Sequence, residues 1–242
     1  MADMNIRNPY SFNELKWDSD FFKVKCAKAI LYGPLLKHEW DELKSNFNSY
    51  EFISIENRNS EPVNSQFIGK ETPAFLIDVN VQFSKKPELV KKPGNVTIWN
   101  YMERYEQIIE MAEFPYSKFI EDNEFYKRNG NQVYKQWVIN SFNKPDKYFA
   151  VSRNERGEIN GFLLYSFIGC ICTIELMATA KDSMGKGIGT SLFKMVEYEA
   201  KYRGCDEIRV GTMIRNIGAI NFYHKMGCKQ VGCHQIYHLW NI

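Results

Sequence analysis

The sequence has few of the features that mark nucleic-acid-binding or metal-binding proteins. Its formal net charge is +2 over 242 residues, and it has no arginine-rich arm, which argues against a nucleic-acid-binding protein. The six cysteines form no C-x-x-C pair, so we expect free thiols in a reducing cytoplasm. His234 and His238 are four residues apart in a strand-like pattern with no metal motif, so we expect no metal site.

Long apolar runs are also missing. The most hydrophobic window, residues 161–174, is too short to span a bilayer as a helix, and Glu175 interrupts it. Residues 1–5 contain no apolar signal-peptide core. These observations predict a cytoplasmic protein without a membrane segment.

The composition is that of an ordinary globular chain, with 44% hydrophobic and 25% charged residues. Two prolines, a glycine and four lysines fall within residues 84–94, which makes this stretch a poor helix or strand interior. We therefore predict a smaller N-terminal domain over residues 1–90 and a second domain over residues 95–242.

Hydrophobic periodicity predicts alternating strands and helices. The predicted strands cover residues 51–56, 77–83, 148–152, 159–165, 171–178, 206–212 and 229–240, the last of these as one long strand or a strand pair. The predicted helices cover residues 39–47, 101–111, 133–142, a stretch from Ile188 that Gly204 would cap, and residues 217–226. Asn216 is suited to cap the last helix.

One glycine-rich turn, MGKGIG at residues 184–189, lies between a predicted strand and a predicted helix. Free N–H groups and the helix dipole make such a turn a site for an anion such as a phosphate. The spacing fits neither a P-loop nor a dinucleotide-binding fingerprint. On spacing alone, a tight turn that holds no ligand remains an alternative.

This turn resembles the pyrophosphate-binding motif [QR]-x-x-G-x-[GA] of the GNAT acetyltransferases. Gly187 and Gly189 match, whereas Met184 occupies the usual Gln or Arg position. Downstream, residues 216–228 are similar to the family's N-x-x-A-x-x-x-Y-x-x-x-G-F segment, with Cys228 in place of the aromatic residue. The resemblance implies an α/β GNAT fold, with splayed parallel strands in a mixed sheet flanked by helices. It also implies acetyl-CoA as the acyl donor and no metal.

The resemblance also implies roles for individual residues. Tyr223 would be the general acid toward the CoA sulfur, and Glu175 a general base, directly or through water. The acetyl-CoA site would comprise Leu176, Met177, Ala178, Met184, Gly185, Lys186, Gly187, Ile188, Gly189, Thr190 and Asn216. Local patterns leave alternatives open: Tyr223 as a core residue, Glu175 as a solvent-side residue, and Asn216 as a helix cap only.

A looser resemblance, to the family's TDP-fucosamine acetyltransferases, spans nearly the whole chain. It rests on the segment LKWDSDFF at residues 15–22, on residues 117–119 and 134–141, and on YHLW at residues 237–240. It implies a partial GNAT-like N-terminal domain and a nucleotide-linked amino sugar as acceptor, in polysaccharide biosynthesis. A homodimer is a further implication. The acceptor pocket would draw on Trp17, Phe21, Phe22 and Tyr116. Another small amine or a protein N-terminus as acceptor, or a catalytically degenerate CoA-binding protein, are the alternatives.

Overall fold

The computed structural model describes residues 8–101 and 103–242. The predictions for residues 1–5 and for Met102, inside the predicted helix 101–111, lie outside the described residues. The chain forms two compact units. The first comprises the residues up to Val81 together with Lys118–Gly130 and Gly232–Ile242, and the second comprises Gln82–Ser117 and Asn131–Val231. The predicted domains were residues 1–90 and 95–242. The first boundary between the two units lies instead between Val81 and Gln82, and two later segments of the chain belong to the first unit.

The first unit contains a five-stranded sheet in the order β1-β2-β3-β10-β4. Its strands are β1 (Tyr10–Glu14), β2 (Cys26–Leu31), β3 (Phe52–Asn57), the first part of β4 (Phe75–Lys85) and most of β10 (Lys229–Trp240). Its helices are α1 (Lys16–Phe22), α2 (Lys37–Ser45), α3 (Pro62–Glu71), α5 (Lys118–Glu121) and α6 (Asn123–Lys127). β10 pairs antiparallel with β3, with Trp240 opposite Phe52, so the last strand of the chain completes this sheet.

The parallel pair β2 and β3 is hydrogen-bonded along its full length, from Cys26 opposite Phe52 to Leu31 opposite Asn57. Alternate side chains of these strands enter one core, and all six residues of β3 are buried, so the opposite face of this strand is covered as well. This core consists mainly of Ala27, Ala29, Leu31, Ile53 and Ile55 from the strands and Trp40, Leu43 and Ile68 from the helices.

Asp122 joins the α5–α6 segment to the last strand of the first unit. Its Oδ1 atom accepts the backbone N–H of Glu124 at 2.9 Å and so caps α6. Its Oδ2 atom lies 2.6 Å from Nδ1 of His238 and accepts the indole N–H of Trp240 at 2.9 Å. His238 is only 1% exposed, and this burial lowers its pKa to about 4 although the hydrogen bond to Asp122 opposes the shift. His238 is therefore neutral in the folded protein at pH 7.

This buried histidine predicts a loss of stability in mild acid. The unfolded chain binds a proton at His238 from about pH 6.5 downward, whereas the folded chain does so only near pH 4, so stability falls between these values. We expect the free energy of unfolding to drop by about 1–2 kcal/mol more in the wild type than in His238→Gln between pH 7 and pH 5. Urea unfolding measures this difference. The exposed His38→Gln variant should keep the wild-type dependence, and equal slopes in all three proteins would contradict the prediction.

The second unit contains a mixed sheet in the order β4-β9-β8-β7-β6-β5. Its strands, besides the end of β4, are β5 (Val96–Asn100), β6 (Lys147–Arg153), β7 (Ile159–Ile168), β8 (Ile171–Thr179) and β9 (Glu207–Met213). Its helices are α4 (Glu106–Met111), α7 (Val133–Ser141), α8 (Ile188–Tyr202) and α9 (Ile217–Lys225). β8 and β9 are parallel, and the β5-β6, β6-β7 and β7-β8 pairs are antiparallel. This arrangement confirms the predicted α/β class.

Helices cover the sheet of the second unit on both faces. Phe162, Leu164 and Leu176 share a core cluster with residues of α4 and α7. On the opposite face, Gly161 of β7 lies directly under α8, because a Cβ atom at this position would be 2.7 Å from Cγ2 of Ile188 and 3.2 Å from Cδ1 of Leu192. The glycine therefore allows the first turn of α8 to approach the sheet.

Most predicted elements of the second unit are present, including the Asn216 cap, whose Oδ1 atom accepts the N–H of Ala219 at 3.1 Å. Gly204 has a φ of 72° just after α8, as the predicted C-terminal cap requires. The helix predicted from residue 101 begins only at Glu106, because Tyr101 adopts a left-handed φ of 53° directly after β5. Residues 229–240 form a single strand, β10.

We expect Gly161→Ala to destabilise the protein by about 1–3 kcal/mol, because the added methyl group would collide with Ile188. Gly69→Ala is the matched control, since Gly69 lies in α3 with no atom near the position of its missing Cβ. That substitution should be neutral or slightly stabilising. Thermal unfolding of both variants gives the comparison, and equal melting temperatures would refute the close approach.

Candidate active site

The parallel strands β8 and β9 separate in the middle of the second unit's sheet. Their ladder runs from Ile171 opposite Glu207 to Ile174 opposite Val210 and stops there. β8 continues to Thr179 and β9 to Met213, so both strands have peptide groups that no longer pair with each other. The backbone of Leu176, Met177 and Ala178 lies in this opening. Such a backbone edge can bind an extended chain that carries amide groups.

A bulge in β8 marks the start of this opening. Leu164 of β7 lies opposite Leu176, whereas the next residue, Tyr165, lies opposite Ile174. Glu175 is therefore the extra residue that has no partner in β7. A bulge bends its strand and increases the local twist, which turns the end of β8 away from its earlier direction.

The glycine turn follows β8 and leads directly into α8. Gly185 and Gly187 have φ values of 77° and 80°, in the left-handed region that favours glycine. The first hydrogen bond within α8 runs from the N–H of Ser191 to the C=O of Gly187 at 3.0 Å. The N–H groups of residues 188–190 precede that bond, at the positive end of the helix dipole. The turn therefore has the backbone geometry of an anion site.

The side chains of the turn leave these backbone groups accessible. Met184, at the motif position that differs from the family, is 69% exposed. Lys186 is also exposed, and Thr190 lies in the first turn of α8. A Cβ atom at Gly189 would lie 3.4 Å from Phe222 and 4.0 Å from the methyl carbon of Met177. The start of α8, the end of β8 and helix α9 therefore meet at Gly189.

Tyr223 lies on α9, next to Phe222, and is 5% exposed. Its ring contacts Phe83 and Phe222 at centroid distances of 5.5 Å and 5.4 Å, so it does belong to the packed face of its helix. Burial raises the pKa of its phenol, so the hydroxyl group stays protonated at neutral pH. Among the described residues no hydrogen-bond partner is found for this hydroxyl group, and its predicted role as a general acid stays a prediction.

The carboxylate of Glu175 is held by three donors. Its Oε1 atom accepts hydrogen bonds from Lys147 Nζ and Ser166 Oγ, both at 2.6 Å, and its Oε2 atom accepts the indole N–H of Trp137 at 3.2 Å. The side chain is 8% exposed. The group therefore fixes the bulge in place, and proton transfer to it would have to displace a donor. Its predicted role as a base stays a prediction.

The sequence did not predict these partners of Glu175. Lys147, Ser166 and Trp137 come from β6, β7 and α7. The strand register and the packing of α7 on the sheet bring them to the same carboxylate.

Of the proposed pocket residues, Tyr116 lies in the second unit, and the centroid of its ring is 5.9 Å from the guanidinium carbon of Arg215. Trp17, Phe21 and Phe22 lie on α1 in the first unit, where Trp17 and Phe21 stack at 4.9 Å.

No group of three or more metal-ligating side chains is found among the described residues. His234 accepts the backbone N–H of Asn59 at 3.1 Å, and His238 bonds to Asp122. All six cysteines are free thiols. No helix in the described ranges has both the length and the apolar character needed to cross a membrane.

Comparison with known proteins places this site in a family. The model of the acetyltransferase (GNAT) family matches residues 105–228, which is more than half of the chain. The chain therefore belongs to the GNAT acetyltransferase family. The separated strands, the glycine turn and α9 all lie within the matched region.

Two curated proteins of Bacillus subtilis strain 168 are similar to parts of the chain. The spore coat polysaccharide biosynthesis protein SpsD is 26% identical over 137 residues, covering 56% of this chain and 47% of that protein. The uncharacterized protein YdhI is 43% identical over 84 residues, covering 34% of this chain and 49% of that protein. The chain thus spans about half the length of the curated relatives it matches.

Solved structures share the fold. A GCN5-related N-acetyltransferase from Sphaerobacter thermophilus superposes with a TM-score of 0.61 at 12% identity, over 96% of this chain and 76% of that one. A tandem GNAT protein from the clavulanic acid biosynthesis pathway gives a TM-score of 0.55 at 10% identity, over 90% and 78% of the two chains. At these identities the likeness concerns the fold alone.

We expect Lys147→Met to lower the free energy of unfolding by about 1–3 kcal/mol, because the poorly exposed carboxylate of Glu175 would lose its cation. Lys144→Met, in the exposed loop before β6, should change it by less than about 0.5 kcal/mol. Chemical denaturation of the two variants tests the difference. Equal effects would show that the ion pair contributes little to holding the bulge.

Proposed function

We propose that the protein transfers the acetyl group of acetyl-CoA to the amino group of a nucleotide-linked amino sugar of the dTDP-4-amino-4,6-dideoxyhexose type. The observation that carries the donor half of this proposal is the opening between β8 and β9 beside the glycine turn. The acceptor half is supported by the sequence resemblance and by the similarity to a spore coat polysaccharide biosynthesis protein. The proposed setting is polysaccharide biosynthesis in the cytoplasm.

The donor fits the backbone groups that the opening provides. The free edge of β8 at residues 176–178 would bind the amides of the pantetheine arm. The N–H groups at the start of α8 would bind the pyrophosphate, assisted by the helix dipole. Because these contacts are made by the main chain, the replacement of Gln or Arg by Met184 removes one side-chain contact and leaves the backbone contacts intact.

The reaction is a direct transfer. The neutral amine attacks the thioester carbonyl, the C–S bond of the resulting tetrahedral species breaks, and an amide and a thiol are formed. We assign the proton that the departing thiolate receives to Tyr223, whose buried phenol is protonated at neutral pH. The amine loses one proton as it becomes an amide. Glu175 is the proposed acceptor of that proton, directly or through water, and is the less supported of the two roles because three donors already bind it.

Release of free thiol from acetyl-CoA tests the proposal. The acceptor panel contains dTDP- and UDP-linked 4-amino and 3-amino sugars, a peptide N-terminus and a simple amine. We expect turnover with a dTDP-linked 4-amino sugar and a fall in kcat of about 100-fold in Tyr223→Phe. Tyr202→Phe is the matched control, because Tyr202 is exposed at the far end of α8, and it should retain wild-type kcat.

The possible outcomes separate the parts of the proposal. Turnover that survives in Tyr223→Phe would reduce Tyr223 to a packing residue and leave the substrate class intact. Turnover only with the peptide or the simple amine would transfer the activity to another acceptor. Binding of CoA without thiol release from any acceptor would identify a protein that binds CoA without catalysis.

A further inference from the structure

Lys85 and Glu197 form an ion pair that is almost closed to solvent inside the second unit. The Nζ atom of Lys85 lies 2.6 Å from Oε1 of Glu197, and the two side chains are 13% and 2% exposed. Lys85 is the last residue of β4 and Glu197 lies within α8, so the pair ties the strand to the helix. We propose that this pair is a positioning device for Tyr223, an inference that rests on the proposed role of Tyr223 as general acid.

Two side chains on the same face of β4 contact α9. The ring centroid of Phe83 is 5.5 Å from that of Tyr223. Lys85 comes two residues later and so lies on the same face of the strand. Its Nζ atom is 3.7 Å from the position that a Cβ atom of Gly227 would take, just after the last turn of α9. The helix dipole favours a cation at this end of a helix, so Lys85 contacts the end of α9 as well as its carboxylate partner.

α8 contacts α9 at a second place, close to the glycine turn. A Cβ atom at Gly189 would lie 3.4 Å from Phe222, and the rings of Phe193 and Phe222 meet edge to face at a centroid distance of 6.1 Å. Glu197 follows Phe193 by one helical turn, on the same side of α8. Tyr223 follows Phe222 on α9, so its place relative to the start of α8 depends on how these two helices pack. The ion pair fixes this packing at the end farther from the glycine turn.

The energetics of a buried ion pair favour a geometric role over a stabilising one. Desolvation of the two charges offsets most of their attraction, so an apolar pair of similar size is often no less stable. A charged pair does fix direction, and the Oε1 atom of Glu197 also accepts the N–H of Glu88 at 3.2 Å. Two donors on one oxygen hold the end of β4, and with it Phe83, in one orientation against α8. Removal of the pair should therefore change the placement of Tyr223.

A double-mutant cycle tests whether the pair acts through Tyr223. We expect Lys85→Met/Glu197→Met, which leaves neither charge buried alone, to lower kcat for the dTDP-linked amino sugar about tenfold and to keep KM for acetyl-CoA within about twofold. In a Tyr223→Phe background the same two substitutions should lower kcat by less than about twofold, because no hydroxyl group is left to position. Lys92→Met is the matched control and should keep wild-type kcat, since Lys92 is exposed and its ammonium lies 5.3 Å from the ring centroid of Tyr198, also on α8.

Two results of this cycle would overturn the inference. Tenfold losses of kcat in both backgrounds would show an additive effect that does not act through Tyr223. An unchanged kcat in the double variant would show that the pair positions nothing that the reaction needs. The nearly isosteric Glu197→Gln, which removes the ionic attraction, should show the same dependence on Tyr223 at about threefold, and it replaces the double variant if that protein does not fold.

A measurement that needs no turnover separates this inference from the proposed function. In protein labelled with 3-fluorotyrosine, the 19F signal of Tyr223 is identified by its loss in Tyr223→Phe. CoA should shift this signal in the wild type and by less than about half as much in the double variant, and should leave the signal of the exposed Tyr202 in place in both. Turnover with equal Tyr223 shifts would preserve the proposed function and refute the positioning role. Unequal shifts without turnover of any acceptor would support the positioning role and refute the proposed transfer. Equal shifts without turnover would refute both.

Discussion

The loss of pairing between β8 and β9 is the constraint on which the rest of the candidate site depends. Two parallel strands that pair for four residues and then separate leave main-chain donors and acceptors without partners in the middle of a sheet. A protein keeps such groups unpaired only where water or a ligand satisfies them. The bulge at Glu175 lies where the pairing stops, and three donors bind its carboxylate.

The start of α8 and the cavity beside β8 differ in charge. The start of α8 presents backbone N–H groups and the positive end of a helix dipole, whereas the cavity lined by α4, the β6–β7 turn and residues 177–184 contains four carboxylates and one amine. A phosphate group is therefore favoured at the start of α8 over the carboxylate-lined part of the cavity.

Local sequence patterns predicted the parts of this site that depend on a few neighbouring residues. The glycine turn, the Asn216 cap and the glycine after α8 are features of backbone conformation, which residues such as glycine and asparagine specify directly. The resemblance to the family added the position of the strand opening, which periodicity alone did not indicate.

The features that the sequence did not predict all depend on long-range register. Lys147 and Ser166 meet Glu175 because their strands align in the sheet, and Trp137 meets it because α7 packs on that sheet; no spacing in the sequence records these contacts. Pairing between strands that are distant in the sequence also decides the division into units. The apolar alternation of residues 229–240 indicates a strand but not its partner, and pairing with β3 assigns that strand to the first unit. The cavity lining likewise combines α4, the β6–β7 turn and the end of β8.

The uninterrupted ladder between β2 and β3 limits what the first unit can do. Its parallel strands are paired from Cys26 to Leu31, and helix α2, which follows β2, begins after Leu36 without a glycine-rich turn. The first unit therefore repeats a parallel strand–helix–strand arrangement, but its parallel strand pair stays closed along its full length. Within the part of the chain that the structure describes, only the second unit opens a parallel strand pair beside such a turn. A donor that binds by this backbone mode would therefore have its site in the second unit.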